Sequence, residues 1–239
     1  MAYRQNHDQE GVTARGHEQV LPGLGSGIYT YYEAAKLLGV DKTQVRRWAD
    51  GYTYSLRGEQ KHKEPVLQRQ RTPEGLLTFY DLIELFIVRE LIRAGVRMEV
   101  IRASAALLSR ELDTPYPFAC EKIYTDGVQI LHDAGDQYEN VATKQQVFQF
   151  IEDFFKNMEF DRNYLPMRWF PLGPERLIVM DPKRSFGTPI DFRSGMRTDV
   201  LYSTYKAEED IDAVADWYEV TREAVEAAVE FEEQWKKAA

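Results

Sequence analysis

Between Lys42 and Arg47, residue type and spacing suggest a specific chemistry. Asp41 reads as the N-cap of a short helix, and Val45 and Trp48, three apart, fall on its inward side. Lys42, Thr43, Gln44, Arg46 and Arg47 are left facing outward. Lysine and arginine neutralise phosphate, and short hydroxyl and amide groups reach base edges, so this face suits the major groove of DNA. A solvated basic helix has the same spacing, and the helix alone does not separate the two readings. Downstream, Arg57, Lys61, Lys63, Arg69 and Arg71 lie in a polar, weakly periodic stretch from Gly51 to Leu77. They are placed and charged like a wing, a hairpin lying along the sugar-phosphate backbone. A second constellation sits near the C-terminus, where Glu219, Glu223, Glu226 and Glu230 recur at spacings of three and four, which puts them on one helical face. Trp217 and Trp235 flank them as candidate apolar anchors for a protein partner, with a place in the core an equal reading for Trp217.

A catalytic or metal-binding set is not found. His7, His17, His62 and His132 are scattered without metal-ligand spacing, and Cys120 is the lone cysteine, so neither a disulfide framework nor a cysteine metal cluster is expected. The Gly-rich run around Gly23 and Gly25 has no preceding strand and is not a phosphate loop. The acid pairs Asp133 and Asp136, or Glu152 and Asp153, are better explained by surface solvation than by catalysis. A non-enzymatic protein without a cofactor is expected.

The elements that position these residues are largely legible. Ala34, Ala35 and Leu38 form one face of a helix that Gly39 ends, and the Asp41-capped helix follows after a tight turn. Two apolar helices come after the basic stretch, one through Leu82, Leu85, Phe86, Leu91 and Ile92, the other through Met98, Ile101, Ala105, Leu108 and Leu112. A break at Pro115 precedes an expected β-hairpin from Phe118 to Asp133, turning at Asp126-Gly127. An amphipathic helix is expected from Lys144 to Asp161, with Val147, Phe150, Ile151, Phe154 and Phe155 inward, and further strands follow in 165–173 and 176–181. After a turn-rich stretch, Thr198, Asp210 and Thr221 read as caps of three C-terminal helices, with Ile211, Val214, Ala215, Tyr218, Val220 and Val225 as a second helix-turn-helix core.

The segment from Tyr29 to Leu112 resembles the MerR-type winged helix family. The resemblance is carried by "YTYYEAAKLLGV", by Arg46 after the inward Val45, and by Arg71 and Gly75 ahead of "FYDL". The segment from Arg176 to Trp235 is similar to an antitoxin module found beside PIN-type ribonuclease toxins, through Ile178, Asp181-Pro182, Gly187, Pro189, Gly195, Thr198 and "EEDIDAVADWYEVTREAVEAAVEFE". Together they resemble a branch of VapB-like antitoxins. That resemblance implies an α+β chain with an N-terminal MerR-like winged helix-turn-helix, a central small β-hairpin and helix region, and a C-terminal three-helix helix-turn-helix module. It also implies repression of its own operon through double-stranded operator DNA, inhibition of a PIN-type ribonuclease toxin, and a homodimer. A MerR-like ligand-responsive regulator without a toxin is the alternative, with an apolar pocket between the hairpin and the Phe-rich helix as its sensor. The expected boundaries are a loose tail over 1–27, the winged unit over 28–114, the central region over 115–174 and the C-terminal module over 175–239.

Charge fits two partners of opposite sign. The chain has 239 residues, 44% apolar, and a formal net charge of −9. From Asp41 to Thr72 eight bases (42, 46, 47, 57, 61, 63, 69, 71) oppose four acids (41, 50, 59, 64), a balance of +4. From Lys206 to Ala239 four bases (206, 222, 236, 237) oppose eleven acids (208, 209, 210, 212, 216, 219, 223, 226, 230, 232, 233), a balance of −7. Charge spread for solubility alone would need no such asymmetry, but it remains an alternative. No apolar run reaches membrane-span length and the start lacks a signal-peptide pattern, so a cytoplasmic protein without a membrane partner is expected.

Overall fold

The structure, a computed structural model, describes residues 26–69, 75–123 and 149–237. The tail before Ser26, Arg71, the Asp126-Gly127 turn and the start of the Phe-rich helix lie outside the described residues, as does the side chain of Trp235. The architecture is α+β, with three two-stranded antiparallel sheets distributed among helices.

Helix α1 (Tyr31–Leu38) starts in a reciprocal cap: the Glu33 amide donates to Thr30 Oγ1, and the Thr30 amide donates to Glu33 Oε2 at 2.8 Å. Gly39 ends it in the left-handed conformation. Asp41 then caps α2 (Lys42–Asp50), accepting from the Thr43 amide at 2.7 Å. Strands β1 (Tyr52–Leu56) and β2 (Glu59–Lys63) form a hairpin in register Tyr52 to Lys63, closed by Arg57 and Gly58 with φ of 54° and 85°. Positive φ at both turn residues matches the right-handed twist of a two-residue hairpin. At its base, a Cβ on Gly51 would stand 2.4 Å from the Lys63 carbonyl oxygen, so only glycine fits there.

Helix α3 (Phe79–Arg93) is the centre of the core, with Leu82, Ile83, Leu85, Ile87 and Val88 fully buried. Helix α4 (Met98–Glu111) packs against it through Ile101, Ala105 and Leu108. The helix at 149–155, α5, adds Phe154, whose ring stacks on Phe86 at 4.4 Å while Trp169 meets both edge-on. Strands β3 (Met158–Phe160) and β4 (Pro166–Trp169) pair, Trp169 bridges to Met180, and β5 (Ile178–Val179) pairs with β6 (Ile190–Asp191). The C-terminal helices are α6 (Thr198–Glu208), α7 (Ile211–Tyr218) and α8 (Arg222–Lys237), around Leu201, Val214, Ala215, Val225 and Ala228.

Four local expectations are corrected. Phe118–Glu121 forms turns and Lys122–Ile123 is helical, rather than a first hairpin strand; Phe118, Ala119, Cys120 and Ile123 are buried in the core. The Phe-rich helix stops at 155 because Met158–Phe160 pairs with β4 across a turn in which Asp161 accepts from the Asn163 and Leu165 amides. Thr198 is the first residue of α6 rather than its side-chain cap, and its hydroxyl donates instead to Glu232 at 2.7 Å. Ser26 and Gly27, expected in the loose tail, are packed, with the Phe79 amide donating to the Ser26 carbonyl.

Glu84 supplies a test of this core. Its carboxylate is fully buried on α3, Oε1 accepts from the Ala119 amide at 2.7 Å, and Oε2 is without a partner. Burial pushes this carboxyl up to about 8, against the two backbone donors. The folded state therefore keeps a proton that the unfolded chain releases above the ordinary glutamate range. Stability falls as pH rises between about 4.5 and 8. Glu84→Gln should flatten that dependence and be the more stable protein at pH 8, by on the order of 1–3 kcal/mol. Urea melts across this pH range check it; parallel curves for the two proteins would refute the assignment.

Candidate nucleic-acid interface

The outward face of α2 carries Lys42, Thr43, Gln44, Arg46 and Arg47, all exposed, while Val45, Trp48 and Ala49 are buried. Its position is over-determined. Tyr31 on α1 donates its hydroxyl to Asp50 at the end of α2, at 2.5 Å. The Val66 amide donates to the Trp48 carbonyl, and Arg89 from α3 donates to the Leu38 carbonyl at 2.8 Å, closing the C-terminal end of α1. The Arg89 guanidinium also lies 3.9 Å above the Phe86 ring. A rigid helix with a free polar face is what groove reading requires.

The hairpin β1–β2 stands beside α2, with the Arg47 guanidinium 5.1 Å over the Tyr52 ring. Helix α4 fixes its base: Lys63 donates to Glu99 at 2.9 Å, and Arg102 donates to the Glu64 carbonyl at 2.6 Å. Contact with Glu99 raises the Lys63 ammonium above the usual lysine range and lowers the Glu99 carboxyl. Arg57 and Lys61 point to solvent. Alternation along the ladder puts Thr53 opposite His62, hydrogen-bonded at 3.2 Å, on one face and Tyr52, Tyr54, Lys61 and Lys63 on the other.

The basic residues read from sequence therefore divide. Lys42, Arg46, Arg47, Arg57 and Lys61 form an outward set. Lys63 is engaged with α4, and Arg69 is inside, its side chain 6% exposed and its Nε 2.6 Å from the buried Asp81. Arg71 is outside the described residues. Arg89, Arg102 and Glu99, which sequence reading passed over, position the face through contacts between residues far apart in the chain.

The acidic constellation divides as well. Trp217 is 62% exposed on α7, and Glu219 and Glu223 are exposed beside it in the chain. Glu219 is the left-handed C-cap of α7, so it is not on the α8 face. Glu226 pairs with Arg222, which also bonds Asp212 at 2.5 Å, and Glu230 pairs with Arg176. Helix α8, second in the C-terminal helix-turn-helix, is buried on two sides: Val225 and Ala228 face α6 and α7, while Ala227 and Phe231 pack with Ile178 and with Leu37 of α1. With two sides buried and the rest mostly acidic or ion-paired, α8 is a poor guest for a phosphate-lined groove. Among the described residues, no group of three or more His, Cys, Asp or Glu is arranged to hold a metal, and no helix is long and apolar enough to cross a membrane.

Comparison with known proteins agrees with this geometry. A family model described as "Putative DNA-binding HTH domain" matches residues 27–105, the span from the entry to α1 through most of α4. A curated Mycobacterium tuberculosis (strain ATCC 25618 / H37Rv) protein, "Putative antitoxin VapB45", is 27% identical over 222 residues, covering 85% of this chain and 92% of its own. The crystal structure of Rv2018 from Mycobacterium tuberculosis shares the fold with a TM-score of 0.65 at 24% identity, covering 84% of this chain and 96% of that one.

The different placements of Arg69 and the α2 arginines give different expected losses. Arg69→Ala leaves Asp81 buried and charged without its partner and should cost about 3–5 kcal/mol of stability. Denaturant melts would read this, and a variant as stable as the native protein would return Arg69 to the surface set.

Proposed function

From a chain that is VapB-like over most of its length and carries a helix-turn-helix domain, we propose an antitoxin that represses its own operon and restrains a PIN-type ribonuclease toxin. It acts as a regulator rather than an enzyme. Its α2 enters the major groove of double-stranded operator DNA, Thr43 and Gln44 approach bases, and Arg46 and Arg47 meet phosphates, with Arg57 and Lys61 of the hairpin on the flanking backbone. The observation that carries the reading is the outward polar and basic face of a helix held from α1, α3 and the hairpin, inside a chain of net charge −9. One nine-residue helix reads few bases, so a homodimer on a repeated half-site supplies the remaining affinity.

The toxin contact falls on the C-terminal module. An RNA-binding groove presents positive charge, and the exposed acids around Trp217 complement it and speed encounter. Trp217, with its ring in solvent, is the apolar anchor, and Glu219 and Glu223 are the charges that remain unshared with an arginine ion pair.

Arg46→Ala should weaken specific and non-specific DNA binding alike and lower the salt slope by about one unit, whereas Gln44→Ala should relax preference at one base position by roughly 1–3 kcal/mol. Salt-titrated binding to the chain's own upstream DNA decides this; an unchanged affinity and slope for Arg46→Ala would end the DNA reading. For the toxin, deleting the module is a poor probe, because Met180, beyond Pro174, belongs to the main core and bridges Trp169. Trp217→Ala combined with Glu219→Lys should leave DNA affinity intact and weaken restraint of the co-expressed ribonuclease by at least tenfold, on the scale of a hot-spot loss of about 2 kcal/mol. Full neutralisation by that double variant would move the toxin site elsewhere.

A further inference from the structure

The turn-rich stretch ahead of the C-terminal helices departs from the acidic character of the rest of its module. Between positions 181 and 197 it has four bases (183, 184, 193, 197) and two acids (181, 191). Both acids are turned inward. Asp181, 3% exposed, accepts from Arg168 at 3.0 Å and from the Lys183 amide at 2.9 Å; Asp191, 4% exposed, accepts from the Ser194 amide and hydroxyl. The charge this stretch shows to solvent is therefore positive.

Its bases are not alike. Arg197 pairs with Asp199, Arg193 acts on Glu223, and Arg184 donates to the Phe192 carbonyl at 2.8 Å. Lys183 is exposed, and among the described residues its ammonium has neither an acid nor another acceptor. Ser185 beside it is exposed with a hydroxyl that is likewise unshared, and the Phe186 ring is 55% exposed. These three side chains project from one anchored turn. The Ile28 amide donates to the Phe186 carbonyl at 3.0 Å, the Tyr29 hydroxyl donates to the Gly187 carbonyl at 2.7 Å, and a Cβ on Gly187 would collide with that hydroxyl.

The anchor decides where the turn stands. In a helix-turn-helix the second helix lies in the groove while the first crosses the sugar-phosphate backbone. Ile28 and Tyr29 lead directly into the Thr30 cap of α1, whose first turn also leaves Tyr32 68% exposed. A turn fixed on those two residues sits at the end of the backbone-crossing helix, beyond the bases that α2 reaches.

We propose that the Lys183–Phe186 turn is a second DNA contact, with Lys183 and Ser185 on a phosphate of the flanking duplex and the Phe186 ring over the adjoining sugar. The proposal rests on the DNA-reading role of α2 given above. Phosphate and sugar are the same at every base pair, so the turn lengthens the footprint and adds affinity without altering base preference. Its sign selects DNA over the toxin, because the basic groove of a ribonuclease repels a lysine.

The test titrates salt against the affinity of the full chain for two duplexes of its upstream DNA. One is trimmed to the bases whose substitution weakens binding, and the other keeps about one helical turn beyond them on each side. On the longer duplex, Lys183→Gln should lower the salt slope by about one unit and weaken binding by about fivefold at 0.15 M salt. Phe186→Ala should weaken binding there with the slope unchanged. On the trimmed duplex both variants should bind as the native chain does. Native affinity of both variants on the longer duplex overturns the proposal, and so do equal losses on the two lengths, which would mark a fault in the fold rather than a lost flank contact. Weakened restraint of the ribonuclease with DNA binding intact also overturns it and assigns the turn to the toxin. Arg46→Ala, run alongside, keeps the claims apart: loss there on both lengths without loss in the turn variants rejects the turn alone, whereas no loss there rejects the DNA-reading role beneath it.

Discussion

Helix α1 is eight residues long and has protein on two opposite sides. Ala34, Ala35 and Leu38 face the winged-helix core, where burial is complete or nearly so. Lys36 and Leu37, on the other side, meet Glu232 and Phe231 of α8. The first face fixes α2 through the Gly39 turn, and the second fixes where the C-terminal module sits. A change of angle in α1 is therefore felt by both. Arg89, reaching from α3 to the Leu38 carbonyl, keeps the C-terminal end of so short a helix from fraying and relates it to the central core.

This arrangement gives the second helix-turn-helix a different task from the first. The same supersecondary pattern occurs twice, yet the second helix of each pair meets different surroundings. In α2 one side is buried and the basic side is free; in α8 two sides are buried and what remains is mostly acidic or ion-paired. A phosphate-lined groove repels such a surface. The division of charge along the chain thus corresponds to a division of surfaces, with the basic one on α2 and the hairpin and the acidic one around Trp217.

Local signals in the sequence place several of the helix starts. Asp41, Asp210 and Thr221 cap where their types and positions say they should, and the apolar spacing of α1, α2 and the C-terminal core is met in the structure. Non-local pairing was invisible. Lys63 and Arg69 count as positive charge in any composition, but Glu99 and Asp81 engage them from 36 and 12 residues away. Met158–Phe160 continues a helical apolar period and becomes a strand only because Pro166–Trp169 is there to pair with it. For α8 the signal was present: Ala227 and Phe231 widen its apolar arc beyond what a three-helix core needs, which marks a helix covered twice.

The central claim is that DNA meets α2 and the hairpin while α8 stays covered. Amide hydrogen exchange of the full chain, free and bound to its upstream DNA, tests this most directly. The account predicts slowed exchange at residues 41–50 and 52–63, with 222–234 unchanged. Protection concentrated on 222–234, with none on 41–50, would contradict it.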